Sequence, residues 1–367
     1  MNIFVEKSRF ADELKLFQGI FEKKSLMEIL QNIKIAALDN GNLELVATDL
    51  EIGLASVIPV DVREPGTFTV NGKDLYELIS KMPEGILEIS ENNDLQIVVT
   101  NESKSSKYKL LGMQSSDYPQ LPEVDFSSPI PIQVKNFTSM INKSYYIISP
   151  DMKFNLGGAL LTILKDKVEM AATDGHRLAY IFYQNEIDLP TPIEVIVSRK
   201  TLLELLQICE DGELEFSHDK NNLFFRYKNR ILSSRIIDQK FPNYKAVIPK
   251  ETTYKVAVKT DELLQVLRRV LIFKTRNQGV YFKFSDKKLI VERTTPEKGE
   301  AHDEIDIDPI AKEIIVAFNG NFILDFLCHV ESDKIEICIK DQESSFVFKP
   351  LKDTETDFTY VVMPLNI

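Results

Sequence analysis

A chain of 367 residues, 44% apolar and 27% charged, has the composition of an ordinary globular protein with material for two or three cores. Its formal net charge of −12 argues, taken alone, against a nucleic-acid binder, because phosphate contact needs a basic face. Where the charges lie matters more than their sum, so the fold has to be argued first. No apolar run is long enough to span a bilayer, and the amino end (Met1-Asn2-Ile3-Phe4-Val5-Glu6-Lys7) reads as a charged strand, not a signal peptide. Cys209, Cys328 and Cys338 sit in apolar patterns without Cys-x-x-Cys spacing, which reads as reduced core thiols of a cytoplasmic protein.

In chain order the elements come in three rounds. Each round opens with a strand and an amphipathic helix: 3–6 with 10–21, 132–134 with 137–146, and 254–258 with 262–273. A strand ending in a polar turn follows, at 41–48, 165–173 and 285–294. Each round then closes on a strand, a second helix and another strand. In the first round that helix places Leu75, Leu78, Ile79 and Met82 at i, i+3, i+4, i+7. The same spacing recurs at Leu202, Leu205, Leu206 and Cys209, and at Ile323, Phe326, Leu327 and Val330. Leu202 follows Leu75 by 127 residues and Ile323 follows Leu202 by 121; the strands after the helices keep both offsets. Glu77, Glu204 and Asp325 hold one place in the three helices. Proline-containing seams at 117–122 and 241–249 separate the rounds. The reading is α+β: three repeated domains at 1–126, 127–251 and 252–367, each with two helices packed on antiparallel sheets.

The run Ala172-Thr173-Asp174-Gly175-His176-Arg177-Leu178-Ala179-Tyr180 concentrates the unusual chemistry. An Asp-x-His pair fits a carboxylate orienting an imidazole in a hydrolase. It also fits a turn made by Asp and Gly. Ala47-Thr48-Asp49-Leu50-Glu51 starts the same way without the His and Arg, which favours a duplicated turn. No Gly-x-Ser-x-Gly elbow, phosphate-binding Gly-x-x-x-x-Gly-Lys loop or His-Glu-x-x-His pair accompanies it. His218, His302 and His329 have no metal-ligand spacing, and no cofactor is called for.

Over essentially its whole length the chain resembles the bacterial DNA polymerase III beta subunit family, the sliding clamps. The resemblance is carried by residues 172–179, by Ala47-Thr48-Asp49-Leu50-Glu51, by Phe241-Pro242-Asn243-Tyr244, by Gly299-Glu300-Ala301, and by Tyr360-Val361-Val362-Met363-Pro364-Leu365-Asn366-Ile367. It implies DNA clamp domains that form a ring as a head-to-tail homodimer. Such a ring encircles duplex DNA without regard to sequence and serves as a processivity factor in DNA replication. A ring also answers the charge objection, since topology retains the DNA while weak phosphate contacts permit sliding.

By the same resemblance a hydrophobic groove receives short peptide motifs of the DNA polymerase III catalytic subunit, the clamp loader, and other polymerases and repair proteins. Its residues here would be Leu156, Thr173, Gly175, His176, Arg177, Leu178, Pro242 and Val247, closed by Val361, Met363, Pro364 and Leu365, with Asn319 on the rim. Ala246 and Asn366 stand where relatives carry basic residues, which bears on peptide preference. The DNA-facing set is Lys24, Lys73, Lys153, Asn155, Arg199 and Lys200, with Asn155 at a place where relatives carry an aromatic. Lys15, Lys143, Arg268 and Arg269 are further positive charges on or beside the helices. Leu271 and Ile272 fall at the dimer contact.

Charge gives an independent pointer to that contact. Lys104 and Lys107 lie on a basic strand-like edge at 103–109, and Glu300 and Glu304 lie in an acidic stretch at 297–308. Opposite edges favour pairing with each other and disfavour self-pairing. Two other classes stay open at this point. One is a monomeric three-domain scaffold that binds peptides; the other is a hydrolase using Asp174 and His176.

Overall fold

The computed structural model describes residues 1–21, 27–92, 95–149, 156–273, 279–295, 298–352 and 355–365. Two compact units emerge, Met1–Lys135 with Lys200–Ile236 and Asn136–Arg199 with Ile237–Ile367. The six α-helices among the described residues are α1 (Lys7–Leu16), α2 (Gly72–Lys81), α3 (Val134–Asn142), α4 (Arg199–Ile208), α5 (Thr260–Val270) and α6 (Gly320–His329).

The threefold repeat is physical. Strand Gly66–Asn71, α2 and strand Ile86–Glu91 recur as Ile193–Ser198, α4 and Glu213–His218, then as Ile314–Asn319, α6 and Lys334–Ile339. Every element of this trio starts 127 and then 121 residues after its predecessor, the offsets read from the apolar spacing. Local chemistry explains why helices begin there. Asn71 caps α2 by accepting from the Asp74 amide at 3.0 Å, and Asn319 caps α6 by accepting from the Asn321 amide at 3.1 Å. In α5, Asp261 and Glu262 occupy the first turn and Arg268 and Arg269 the last, matching the helix dipole. The predicted apolar stripes face inward: Leu75, Ile79, Leu202, Leu205, Ile323 and Phe326 are all buried.

The first unit holds a 13-stranded sheet and the second holds an 8-stranded and a 4-stranded sheet, all with antiparallel pairings. Successive copies share sheets. In the first unit Arg230–Arg235 pairs with Ile52–Pro59, with Leu232 opposite Leu54. In the second, Arg177–Gln184 pairs with Asp357–Val362, with Leu178 opposite Val361. The compact units therefore gather strands of neighbouring copies.

Several helix limits differ from the sequence expectation. The opening helices begin three, three and two residues earlier than predicted and end earlier, at Leu16, Asn142 and Val270. Apolar periodicity runs on past α1 and α3 because residues of the following turns are also buried, and past α5 into Leu271, Ile272 and Phe273, of which Ile272 is exposed. Phe17 and Ile20, for example, are fully buried in a turn closed by the Ile20 amide donating to the Phe17 carbonyl at 3.0 Å. Cys328 is a further correction: it is exposed, whereas Cys209 and Cys338 are buried. On α6 it follows Phe326 and Leu327, and one more step of about 100° turns it off the buried face.

Glu13 of α1 ties that helix to both strands of the shared pairing in the first unit. Arg230 grips it with a two-pronged contact at 2.8 and 2.7 Å, and the Ser56 hydroxyl donates to it. Burial raises the carboxyl's pKa, but the Arg230 and Ser56 hydrogen bonds and the Arg230 charge outweigh burial, leaving it below its ordinary value. A depressed acid stabilises above its unfolded pKa, and that stabilisation is lost as pH falls through the folded one. Glu13→Gln is therefore expected to cost up to about 3 kcal/mol at pH 7 by leaving the half-buried Arg230 guanidinium without its carboxylate. In urea titrations at several pH values the gap to wild type narrows once the wild-type carboxyl also protonates. A gap that stays constant from neutral to acid pH would contradict the assignment.

Candidate functional site

The two Ala-Thr-Asp copies form the same turn. Thr173 Oγ1 donates to the Arg177 carbonyl at 2.7 Å and accepts from the Gly175 amide at 3.1 Å. Asp174 Oδ1 accepts from the His176 and Arg177 amides at 3.0 and 3.1 Å. In the first copy Thr48 donates to the Ile52 carbonyl and accepts from the Leu50 amide, and Asp49 accepts from the Glu51 and Ile52 amides. The third turn residue is left-handed in both, Gly175 at φ +89° and Leu50 at φ +74°. Asp174 thus hydrogen-bonds to backbone amides and to Arg177, while His176 points into the exposed rim, so the two do not form an acid–imidazole pair.

What the second copy adds is Arg177. Its guanidinium, 8% exposed, meets Asp174 Oδ2 at 2.9 Å and Asp325 Oδ2 of α6 at 2.7 Å. It also donates to Tyr360 Oη at 3.3 Å and the Tyr146 carbonyl at 3.3 Å, and lies over the Phe322 ring at 4.3 Å. Burial opposes the charge; Tyr360 and the two carboxylates outweigh it and raise the pKa further. The C-terminal segment is locked to the same turn, since the Met363 amide donates to the His176 carbonyl at 3.0 Å.

Beside this turn opens a cavity of about 210 Å³. Leu156, Thr173, Gly175, His176, Arg177, Leu178, Pro242, Val247, Val361 and Met363 all line it, ten of the thirteen residues expected in the groove. Leu178 and Val361 form a buried floor with Ala171, Ile196, Phe241 and Val347. Val247 and Met363 stand 43% exposed at the rim, an adaptable apolar lip. Asn319, Pro364 and Leu365 are not among the lining residues: Asn319 caps α6, and Leu365 runs on to donate its amide to the Ala317 carbonyl at 2.8 Å.

Asn243, Tyr244 and Ser345 line the cavity without having been assigned to the groove from the sequence. Tyr244 was within reach of sequence reasoning as part of the Phe241-Pro242-Asn243-Tyr244 seam. Ser345 carried no signal. Behind the wall, buried Glu169 accepts from Tyr180 Oη at 2.8 Å, Lys167 Nζ at 2.6 Å, Lys245 Nζ at 3.3 Å and Tyr244 Oη at 3.4 Å. It pins the turn Tyr244–Val247, and with it the Val247 lip, to the sheet.

The remaining predicted residues divide. Lys24, Lys153 and Asn155 lie outside the described residues. Lys73 on α2 is 72% exposed, 3.8 Å from Glu77. Arg199 donates to the Tyr145 carbonyl at 3.2 Å and lies over that ring. Lys200 pairs with Asp49 and reaches the Ile20 carbonyl. Lys143 is buried and donates to Thr356. Lys107 opens the strand Lys107–Met113, which pairs with Gln96–Asn101 along one side but meets Gly66–Asn71 only at Gly112 and Met113, leaving an open edge. Lys104 lies in the turn before it, 3.9 Å from Glu88. Glu300 and Glu304 lie on Gly299–Asp306, the edge of the 4-stranded sheet. Leu271 is half-buried and Ile272 is 69% exposed.

Fold and groove together define a protein of the DNA-clamp class. Sequence models of the DNA polymerase III beta subunit match the chain in series: the N-terminal domain over 1–122, the central domain over 131–243 and the C-terminal domain over 245–366. The chain belongs to the DNA polymerase III beta subunit family. It is 25% identical to the beta sliding clamp of Pseudomonas aeruginosa and 27% identical to that of Escherichia coli, across the full length of each. Among solved structures, the DNA polymerase sliding clamp of Bacillus subtilis superposes with a TM-score of 0.92 at 22% identity, covering 100% of this chain and 99% of that one. A Pseudomonas aeruginosa clamp bound to griselimycin gives 0.93 at 24%, with full coverage of both.

Arg177→Ala strands Asp174 and Asp325 and is expected to cost roughly 3–5 kcal/mol. Hydrogen exchange will speed up in the strands Arg177–Gln184 and Asp357–Val362 while Ile52–Pro59 keeps its protection. Equal effects on all three strands would show that Arg177 does not hold the site.

Proposed function

We infer that this chain is a replication processivity factor: two copies close head to tail into a ring that encircles duplex DNA and slides along it. The groove beside Arg177 tethers the DNA polymerase III catalytic subunit, the clamp loader, and other polymerases and repair proteins through short apolar peptide motifs. The observation that carries this reading is the groove itself. A family-specific turn and the C-terminal segment build one apolar trough with a buried floor and an exposed Val247–Met363 lip, the form in which a short peptide is held. The domains of this reading are 1–126, 127–251 and 252–367.

Ring closure is supported by two unlike edges. One is the open strand edge with Lys107, Lys109 and the exposed Tyr108 and Leu111, next to Lys104. The other is the strand Gly299–Asp306 with Glu300, Asp303, Glu304 and Asp306, accompanied by exposed Ile272. Apolar groups flanked by complementary charge favour a heterologous contact between copies, and two such contacts close a dimer. DNA contact rests on Lys24, Lys73, Lys153 and Asn155, with Arg199 and Lys200 contributing through their remaining donors. The reading gives no residue a catalytic task, involves no metal or cofactor, and places the protein in the cytoplasm with the chromosome. No described helix is long and apolar enough to cross a membrane.

Light scattering over a dilution series is expected to give twice the 42.0 kDa chain mass. Deleting residues 363–367 should leave that mass unchanged and weaken a fluorescent partner peptide by at least about tenfold, the equivalent of roughly 1.4 kcal/mol of lost apolar contact. A persistent monomer would remove the ring, and unchanged peptide affinity would remove the groove.

A further inference from the structure

Of the acids that the repeat brings to equivalent places, Asp325 is ion-paired to Arg177, whereas Glu204 makes no ion pair among the described residues. Asp325 on α6 and Glu204 on α4 lie 121 residues apart, the offset that relates the two helices. Asp325 receives Arg177, four residues beyond Thr173. Four residues beyond Thr48, the first copy of the turn carries Ile52, which is buried and apolar. Glu204 therefore has no guanidinium to meet. It is 3% exposed, and its Oε2 has no hydrogen-bond partner among the described residues.

A second observation fixes where the carboxyl sits. Gly19 lies in the turn after α1, and a Cβ placed on it would fall 1.9 Å from Glu204 Oε1 and 2.5 Å from its carboxyl carbon. The carboxyl fills the place of the missing side chain and packs on the Gly19 backbone. One turn earlier on α4, Lys200 holds the same segment through the Ile20 carbonyl at 3.4 Å and is paired with Asp49.

We propose that Glu204 is a proton-controlled latch. Protonated, its carboxyl stays packed on Gly19 and holds α4 against the turn that follows α1; when it gives its proton to solvent, the carboxylate draws toward water and the contact loosens. The charged groups facing it are Lys200 from its own helix and Asp49 from the Thr48 turn, while Phe17, Gln18, Gly19 and Ile20 bring none. Burial is the largest influence; Asp49 adds to it, Lys200 opposes it, and the pKa is pushed up to about 7. For an acid whose folded pKa is raised, the stabilisation is complete below its ordinary value and is lost as pH rises toward and through the folded one. The latch thus opens across the near-neutral range.

Hydrogen exchange of the full-length protein from pH 5.5 to 8.5, corrected for the intrinsic rate, tests this at the amides of Gln18, Gly19 and Ile20. Wild type is expected to lose protection as pH rises from 5.5 to about 7, by up to about tenfold per pH unit for a one-proton opening, and to level off above that. Glu204→Gln should hold a flat profile, and Gly19→Ala, which evicts the carboxyl, should be poorly protected at every pH. Parallel profiles for wild type and Glu204→Gln would overturn the proposal. Should that variant not fold, carbon-13 titration of glutamate carboxyls in wild type decides. A midpoint within about a unit of 7 supports the latch, and every carboxyl titrating in the ordinary range near 4.3 overturns it.

Discussion

The guanidinium of Arg177 is buried between Asp174 and Asp325, and the site of the second unit depends on that bridge. Asp174 belongs to the turn, Asp325 to α6, and the Tyr360 hydroxyl that Arg177 also meets belongs to the strand leading to the C-terminal segment. One cation thus fixes the distance between the turn and the last strand, whose pairing sets Leu178 opposite Val361. Those two side chains are the groove floor. Burying the charges gains little in itself, because desolvation offsets much of the attraction. What it supplies is a single geometry, and an apolar trough able to hold a peptide needs one.

The repeat shows the same scaffold put to different uses. Both Ala-Thr-Asp turns make the same hydrogen bonds, yet only the second has a glycine at its left-handed position and an arginine after it. The glycine leaves the rim open, with nothing within 4 Å of where its Cβ would be. In the first copy, Leu50 occupies that position and Lys200 reaches in from α4 to pair with Asp49. Glu77, Glu204 and Asp325 likewise share a helix position and end exposed, buried and half-buried. Position in a repeat fixes the backbone; the neighbours decide the chemistry.

Much of this was legible in the sequence. Apolar spacing located α2, α4 and α6 and their mutual offsets, because helices of one fold must bury the same face. The duplicated turn was legible because Thr and Asp side chains hydrogen-bond locally. Helix ends were less legible, since Phe17 and Ile20 continue an apolar pattern into buried turns. Lys143 read as a surface charge, and only tertiary packing buries it against Thr356. Ser345 joins the groove from a distant segment, and Glu169 supports it from behind. No local pattern encodes such contacts.

A ring lets an acidic protein stay on DNA by topology, without needing tight phosphate contacts. The most direct measurement loads the protein onto a nicked circular plasmid with a clamp loader and follows retention by gel filtration before and after a single restriction cut. Encirclement predicts stable retention on the circle, tolerant of raised salt, and rapid release once the DNA has ends. Retention that falls with salt and is indifferent to cutting would mean ordinary phosphate binding, and would contradict encirclement.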